Sequence, residues 1–134
     1  MKNEYDILIV GGGLVGQVTA LACAKLDGLK IALADGRDIL SGDAGQEDGR
    51  ASALSASSLR FLNRIGLKLS AHLQPMNDML ITDGKVGDSP VWRLHFGREV
   101  SESDTAQMIE NKQLYLALQE RLKSADQIDI ISPA

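Results

Sequence analysis

The sequence contains few of the residues on which several classes of protein depend. Its one cysteine, Cys23, excludes an internal disulfide and suits a reducing compartment, and we expect it to be a packing residue. The two histidines, His72 and His95, are isolated, so we predict surface or packing roles for both and no metal site. The 14 Lys and Arg are outnumbered by 18 Asp and Glu, and the net charge of −4 argues against a nucleic-acid partner. No apolar run has the length of a membrane-spanning helix, and no repeat is present.

Residues 6–16 are the stretch around which the rest of the chain is organised. Residues 5–10 are almost all apolar, which predicts a short strand buried on both faces of a parallel sheet. Residues 14–26 contain no proline and mostly good helix formers, which predicts a helix. Three glycines at the spacing G-x-G-x-x-G lie at this junction: Gly11, Gly13 and Gly16. In this context the first permits a tight turn, the second lets the backbone approach a pyrophosphate, and the third lets helix and strand pack closely.

A helix that begins at such a turn offers an anion site. Small residues at helical spacing would let it lie low on the sheet, with its unpaired N–H groups and its dipole directed at the turn. The next apolar run, residues 30–34, ends at Asp35, roughly 20 residues beyond the glycines, where an acidic residue accepts hydrogen bonds from an adenosine ribose. A glycine-rich turn followed by a surface aspartate is the simpler alternative, but strand, spacing, helix and acid together favour dinucleotide binding.

The middle of the chain predicts a loop, a helix and two short strands. Residues 36–49 are rich in Gly, Asp, Ser and Ala and predict a mobile loop, after which Arg50 marks the return to order. Residues 55–65 predict a helix that Ser55 or Ser57 caps and that Gly66 ends. Residues 79–82 and 91–96 predict short antiparallel strands around turns at 83–84 and 89–90.

The last third of the chain returns to alternating helix and strand. Asn111 is predicted to cap a helix whose apolar stripe is Leu114, Ala117, Leu118, Leu122 and Ala125. Residues 128–131 predict a buried strand, and the sequence leaves its place in the sheet open. Because loops at the carboxyl ends of such strands carry the chemistry and none follows here, we expect a chain that is shortened at its carboxyl end.

Four segments carry a resemblance to a known family: residues 6–16, 48–55, 62–66 and 109–118. Taken in this order, they resemble the amino-terminal part of the flavoprotein aromatic-ring monooxygenases, in particular the branch that hydroxylates the ring of ubiquinone precursors. The resemblance covers essentially the whole chain. It implies an α/β fold with an incomplete, Rossmann-like FAD/NAD(P)-binding parallel sheet, helices and short antiparallel strands. Residues 1–134 would then be the amino-terminal portion of an FAD-binding domain, without the substrate domain.

The resemblance also implies a set of cofactor-binding residues: Gly11, Gly13, Leu14, Val15, Gly16, Asp35, Gly36, Arg50 and Lys112. The glycines would hold the FAD pyrophosphate, and Asp35 the adenosine ribose. Arg50 would reach the cofactor near the pyrophosphate or the flavin, where its planar fork suits phosphate oxygens. Lys112 stands where the family often has an arginine, so it keeps the charge and loses the bidentate geometry. The family's later FAD and NAD(P)H segments are not found, Gly42-Asp43 lies in a different place, and no catalytic residue is identified.

The activity implied by the resemblance is the hydroxylation of a small phenolic ring, with or without a prenyl chain, by FAD, NAD(P)H and O2. A cytoplasmic location is expected, and the resemblance leaves open peripheral attachment to the inner membrane or membership of a multiprotein complex. Self-association is expected of a chain this short, because apolar surface meant for the missing part would be exposed. Two other interpretations stay open: an NAD-linked dehydrogenase domain, which the long segment after the second strand disfavours, and a non-catalytic nucleotide-binding remnant.

Overall fold

The computed structural model describes residues 4–41, 49–85, 87, 93–97 and 106–134 of the chain. Its elements follow in the order β1 (Ile7–Val10), α1 (Leu14–Cys23), β2 (Ile31–Ala34), β3 (Ala51–Leu54), α2 (Ala56–Arg64), β4 (Gln74–Met76), β5 (Met79–Thr82), β6 (Arg93–Phe96), β7 (Ala106–Glu110), α3 (Asn111–Lys123) and β8 (Ile128–Ile131). These strands form a three-stranded parallel sheet, a three-stranded antiparallel sheet and a two-stranded ribbon. The predicted α/β fold, with a Rossmann-like parallel sheet and short antiparallel strands, is confirmed.

The parallel sheet has the strand order β1-β2-β8, which answers where the last predicted strand lies. The register sets Ile7, Ile31 and Ile128 side by side. The side chains on this face join one core with Leu21 of α1 and Leu118 of α3, both almost fully buried. Because α1 also packs on β1, β2 and α3, the core lies between the parallel sheet and these two helices.

The helix α1 lies low on the sheet, as its small residues predict. A Cβ atom at Gly16 would overlap the carbonyl oxygen of Gly11, so only glycine allows this approach. The helix ends at Cys23, before the predicted end at residue 26, because the N–H of Leu26 donates to the carbonyl of Cys23 at 2.9 Å and closes a tighter turn. The partly buried Cys23 packs against the core, as predicted.

The face of β1 that carries Leu8 and Val10, opposite the core, is exposed. The prediction of a strand buried on both faces is therefore wrong. Leu8 is 62% exposed and Val10 80% exposed. The side chain of Tyr5 crosses this face, because its hydroxyl donates to Asp129 of β8 at 3.0 Å, and Ala32 of the intervening strand is fully buried. Leu8 and Val10 lie farther along β1 toward its carboxyl end, where no described residue covers them to the same extent.

The antiparallel sheet, of order β3-β7-β4, was not predicted from the sequence. Its strands are short and half-exposed, and small or polar residues fill much of them, so they lack a strong apolar alternation. The helix α2 follows β3 as predicted: the Ser55 side chain accepts a hydrogen bond from the Ser58 N–H at 3.2 Å. Gly66 ends that helix with a φ of 96°, which favours glycine.

Asn111 is the first residue of α3 and not its cap, which corrects the prediction by one position. Glu110 occupies the N-cap position and makes no side-chain cap. The buried Asn111 side chain instead accepts a hydrogen bond from the Ser52 hydroxyl at 2.6 Å, and this bond ties the start of α3 to β3. The predicted apolar stripe is confirmed, since Leu114, Leu118 and Leu122 are buried.

Part of the predicted mobile loop is well anchored. The side chain of Ile39 is 2% exposed, and its carbonyl accepts a hydrogen bond from Nε2 of the buried Gln119 at 2.7 Å. Residues 42–48, with Gly42-Asp43 and the acidic half of the loop, lie outside the described residues. In the two-stranded ribbon, β6 begins at Arg93. The predicted strand residues 91–92 and the predicted turn at 89–90 lie outside the described residues.

The ribbon and the turn before β4 carry the two histidines. His95 lies 3.1 Å from Asp78, and both side chains are more than half exposed. His72 is exposed as well, so the predicted surface role fits both residues. Within the described ranges, no group of three or more His, Cys, Asp or Glu residues is arranged to hold a metal ion. Nor does any helix in those ranges combine the length and apolar character needed to cross a bilayer.

A candidate dinucleotide-binding site

The carboxyl ends of β1, β2 and β8 meet at one edge of the parallel sheet, where ligands of such sheets bind. The N–H of Gly11, just after β1, donates to the Ala34 carbonyl at 2.8 Å. The N–H of Asp35, just after β2, donates to the Ile131 carbonyl at 3.1 Å. These bonds continue the strand pairing and bring the predicted glycine turn and Asp35 together.

The glycine turn has the geometry that its spacing predicts. Gly11 has a φ of 110°, a conformation that side chains disfavour. Gly13 is the N-cap of α1, and of the described residues a Cβ atom added there would meet only the Tyr115 hydroxyl oxygen, at 3.9 Å. The space in front of this glycine is therefore open to a ligand.

The start of α1 presents unpaired donors to that space. The first intrahelical bond runs from the Gln17 N–H to the Gly13 carbonyl at 3.0 Å. The N–H groups of Leu14, Val15 and Gly16 precede it and have no carbonyl to reach inside the helix. The first turn contains no acidic residue that would offset the positive end of the helix dipole. This arrangement suits an anion, and a pyrophosphate fits it.

Asp35 is held as a carboxylate that links the two loops. Its Oδ2 accepts a hydrogen bond from the Gly12 N–H at 2.6 Å, and its Oδ1 accepts one from the Arg37 N–H at 2.8 Å. The backbone N–H of Arg37, then that of Gly12, lower the pKa of the Asp35 carboxyl, and the Arg37 guanidinium adds to this effect. Oδ1 also accepts a long hydrogen bond from Nε of Arg37 at 3.4 Å, whereas Oδ2 keeps a further lone pair to which a ribose hydroxyl can donate. Gly36, the next predicted site residue, is exposed beside it.

The two predicted cationic residues, Arg50 and Lys112, lie where β3 and α3 begin, a place that we call the second corner of the site. In the register of β3 and β7, Ala51 pairs with Glu110, and the Arg50 carbonyl accepts a hydrogen bond from the Asn111 N–H at 3.0 Å. Arg50 and Lys112 are both exposed there. Next to them, an open cleft of about 310 Å³ is lined by Ala51, His72, Gln74, Met108, Ile109, Glu110 and Gln113.

Two residues of the site were missed by sequence reasoning. Tyr115, one helical turn after Lys112, places its hydroxyl oxygen 3.9 Å from the position that a Cβ atom would take at Gly13. Gln17 is fully buried behind the turn and donates to the Gly12 carbonyl at 2.7 Å. A tyrosine in an amphipathic helix carries no special signal, but a glutamine on the face of α1 that is otherwise small and apolar is unusual.

The parallel sheet, the glycine turn and the acid after β2 form a partial Rossmann-like fold with the arrangement expected of a dinucleotide site. In sequence, the chain is 36% identical over 131 residues to the ubiquinone hydroxylase UbiL of Rhodospirillum rubrum, covering 96% of the chain and 29% of UbiL. It is 31% identical over 93 residues to an aerobic glycerol-3-phosphate dehydrogenase of Bacillus subtilis, covering 69% of the chain and 16% of that protein.

The fold is that of FAD-dependent monooxygenases. The structure of the flavin-dependent monooxygenase PieE, solved with FAD and substrate, superimposes with a TM-score of 0.69 and 19% identity, covering 97% of this chain and 24% of PieE. No model of a known protein family matches the chain. The resemblance to the flavoprotein monooxygenases, and to their ubiquinone hydroxylase branch, is confirmed, and the chain spans less than a third of the length of UbiL.

Proposed function

We propose that this chain is the FAD-binding portion of a flavoprotein monooxygenase, and that the whole protein hydroxylates an aromatic ring of the ubiquinone-precursor type with NAD(P)H and O2. The observation that carries the proposal is the hydrogen bond from the Gly12 N–H to Asp35, because it joins the phosphate-binding turn to the ribose-binding acid. The substrate class is supported by the similarity to UbiL, whose name describes a ubiquinone hydroxylase.

The residues that would hold the ADP half of FAD lie at the edge of the parallel sheet. The N–H groups of Gly13, Leu14 and Val15 would bind the pyrophosphate, and Asp35 would accept hydrogen bonds from the ribose hydroxyls. Gly16 contributes by letting α1 approach the sheet. The site fits the cofactor because the space in front of Gly13 is open and the Asp35 carboxylate is ionised.

The cations of the second corner would act on the same ligand. Arg50 precedes β3 and Lys112 is the second residue of α3, and the bond from the Asn111 N–H to the Arg50 carbonyl joins these two segments. The Tyr115 hydroxyl, farther along α3, lies near the glycine turn. Both cations would lie where the pyrophosphate continues into the flavin half of FAD, and the Arg50 fork suits phosphate oxygens better than the Lys112 ammonium does. When bound, FAD supplies the electron transfer between NAD(P)H, O2 and the ring, and the described residues bind and orient it.

The connection after β2 favours FAD over an NAD-linked dehydrogenase domain. A Rossmann half passes from its second strand to its third through one short crossover. Here the strand beside β2 is β8, and the chain reaches it only after the antiparallel sheet, the ribbon and α3. This insertion also carries Arg50 and Lys112, for which a dehydrogenase domain gives no role.

Titration of the 134-residue chain with FAD and with NAD+ tests the proposal. We expect FAD to bind in a 1:1 ratio and NAD+ to bind at least tenfold more weakly, because only FAD carries the flavin half that the second corner is proposed to bind. Because the chain spans only part of the relatives' length, we expect NADH or NADPH oxidation by the FAD-loaded chain to be slow and to yield peroxide. Stoichiometric hydroxylation of a phenolic substrate by this chain would contradict that expectation, and preferential NAD+ binding would contradict the FAD assignment.

A further inference from the structure

Gln17 is a fully buried polar residue that packing alone does not explain. Its Nε2 donates to the Gly12 carbonyl at 2.7 Å, and because a carbonyl can only accept, the amide nitrogen must be the group that faces it. Its Oε1 is buried and has no hydrogen-bond partner among the described residues. A buried acceptor without a partner destabilises a protein, so an apolar side chain would suit this position better on stability grounds.

The bond to Gly12 fixes the direction of the next N–H group. The Gly12 carbonyl and the Gly13 N–H belong to one planar trans peptide, and they point in opposite directions. Because the carbonyl is held toward the interior by Gln17, the Gly13 N–H points away from it. Among the described residues, the Gly13 N–H has no hydrogen-bond acceptor. The donor is therefore left for a ligand in the neighbouring space, which of the described residues only the Tyr115 hydroxyl approaches.

The peptide on the other side of Gly12 is fixed as well. The Gly12 N–H donates to Asp35 at 2.6 Å. Each of the two peptides that flank Gly12 is therefore held by one side chain, Asp35 from the end of β2 and Gln17 from α1. A peptide between two glycines rotates with little steric resistance, so without Gln17 the Gly12–Gly13 peptide is free to turn its donor away.

We infer that Gln17 is a positioning residue, which holds the Gly12–Gly13 peptide so that the Gly13 N–H faces an anionic ligand. The ligand class is a diphosphate, as in ADP or the ADP half of FAD. The inference rests on the proposed nucleotide binding at the glycine turn, and it adds a residue outside the glycine motif to that site. Gln17 itself does not touch the ligand.

The variant Gln17→Met tests the inference, because methionine keeps the length and volume of the side chain and removes the amide. We expect the Kd for ADP to rise about tenfold through the loss of one aligned hydrogen bond to a charged group. The Kd for adenosine, which has no phosphate, should change less than about twofold. The melting temperature should fall less than that of Gln119→Met, since the loss of the bond to the Gly12 carbonyl is offset by the removal of the unpaired Oε1.

Gln119→Met is the matched control. Gln119 is also buried and also donates to a backbone carbonyl, that of Ile39, at 2.7 Å. We expect the Gln119→Met protein to have a lower melting temperature and to keep the same ratio of the Kd for ADP to the Kd for adenosine as the unaltered chain. Equal losses for ADP and adenosine in Gln17→Met, or an unchanged Kd for ADP, would overturn the inference. If Gln17→Met does not fold, Gln17→Leu is judged by the same criteria.

A measurement without ligand separates this inference from the proposed function. If the unaltered chain binds neither ADP nor FAD, the proposed function fails. The positioning of the peptide is then judged by the amide 15N–1H resonance of Gly13 in the free chain. We expect this resonance to shift in Gln17→Met and not in Gln119→Met, and a Gly13 resonance that stays in place would overturn the inference.

Discussion

Adding the same methyl group at two glycines of the turn should have opposite consequences. In Gly16→Ala, the new Cβ atom overlaps the carbonyl oxygen of Gly11, and this carbonyl belongs to a residue whose N–H is bonded to Ala34 at 2.8 Å. The backbone of α1 fixes the position of the new Cβ atom, and the backbone of the turn fixes the carbonyl oxygen, so neither atom can move without a shift of the backbone. In Gly13→Ala, the new Cβ atom meets only the Tyr115 hydroxyl, at 3.9 Å, within the described part of the chain, and the φ of −71° suits any residue.

The magnitudes follow from these contacts. Overpacking typically costs about 1–3 kcal/mol, and we expect about 3 kcal/mol for Gly16→Ala because α1 must move off the sheet. Replacing a helical glycine with alanine returns about 1 kcal/mol, which leaves a net loss of about 2 kcal/mol in the free energy of unfolding. For a domain of this size, the melting temperature should fall by roughly 6–10 °C. Gly13→Ala should lose less than about 1 kcal/mol, as alanine is a poorer N-cap than glycine.

Thermal unfolding followed by circular dichroism and ADP titration of each variant form the assay. We expect Gly13→Ala to keep its fold and to lose ADP affinity at least tenfold, because its methyl group lies in the space of the pyrophosphate. Gly16→Ala should lose stability first. A Gly16→Ala protein as stable as the unaltered chain would show that α1 does not lie this close to β1. Unchanged ADP affinity in Gly13→Ala would show that the ligand binds elsewhere.

Three further predictions concern Asp35 and the exposed face of β1. Asp35→Ala should weaken FAD binding by about 1–3 kcal/mol and leave FMN binding almost unchanged, because FMN has no adenosine ribose; equal losses in the two titrations would remove the ribose assignment. The lowered pKa of Asp35 adds stability that is fully present above the ordinary aspartate pKa of about 4 and is lost as the pH falls through the lowered value. The unaltered chain should therefore melt at a higher temperature than Asp35→Asn, and this difference should shrink only in that acidic range. The exposed Leu8 and Val10 should make the chain self-associate, and Leu8→Ser with Val10→Ser should give monomers by sedimentation; a monomeric unaltered chain would contradict this.

The parts of the site that depend on local sequence could be predicted. Gly11 and Gly16 have the turn conformation and the close packing that their spacing indicates, and Asp35 follows β2 as predicted, because strand, turn and helix follow one another directly along the chain. The hydrogen bond from the Gly12 N–H to Asp35 was not predicted. The cap of α2 at Ser55 was predictable for the same reason.

The parts that depend on distant contacts could not be predicted. A face of an apolar strand such as β1 is buried only where another element covers it, and the sequence does not show that Leu8 and Val10 are uncovered. Strands β3 and β7 are recognisable only as a pair, since each alone is short and mixed in character. Gln17 is buried because of where α1 lies on the sheet, and a polar residue in a helix predicts exposure by default.

The central claim is that the glycine turn and Asp35 bind the adenosine half of FAD. Titration of the chain with FAD and with FMN, followed by flavin fluorescence, tests it most directly, because the two ligands share the flavin and differ in the AMP portion. FAD should bind saturably in a 1:1 ratio and be displaced by ADP, and FMN should bind at least tenfold more weakly. Equal affinity for FAD and FMN, or FAD binding that ADP does not displace, would contradict it.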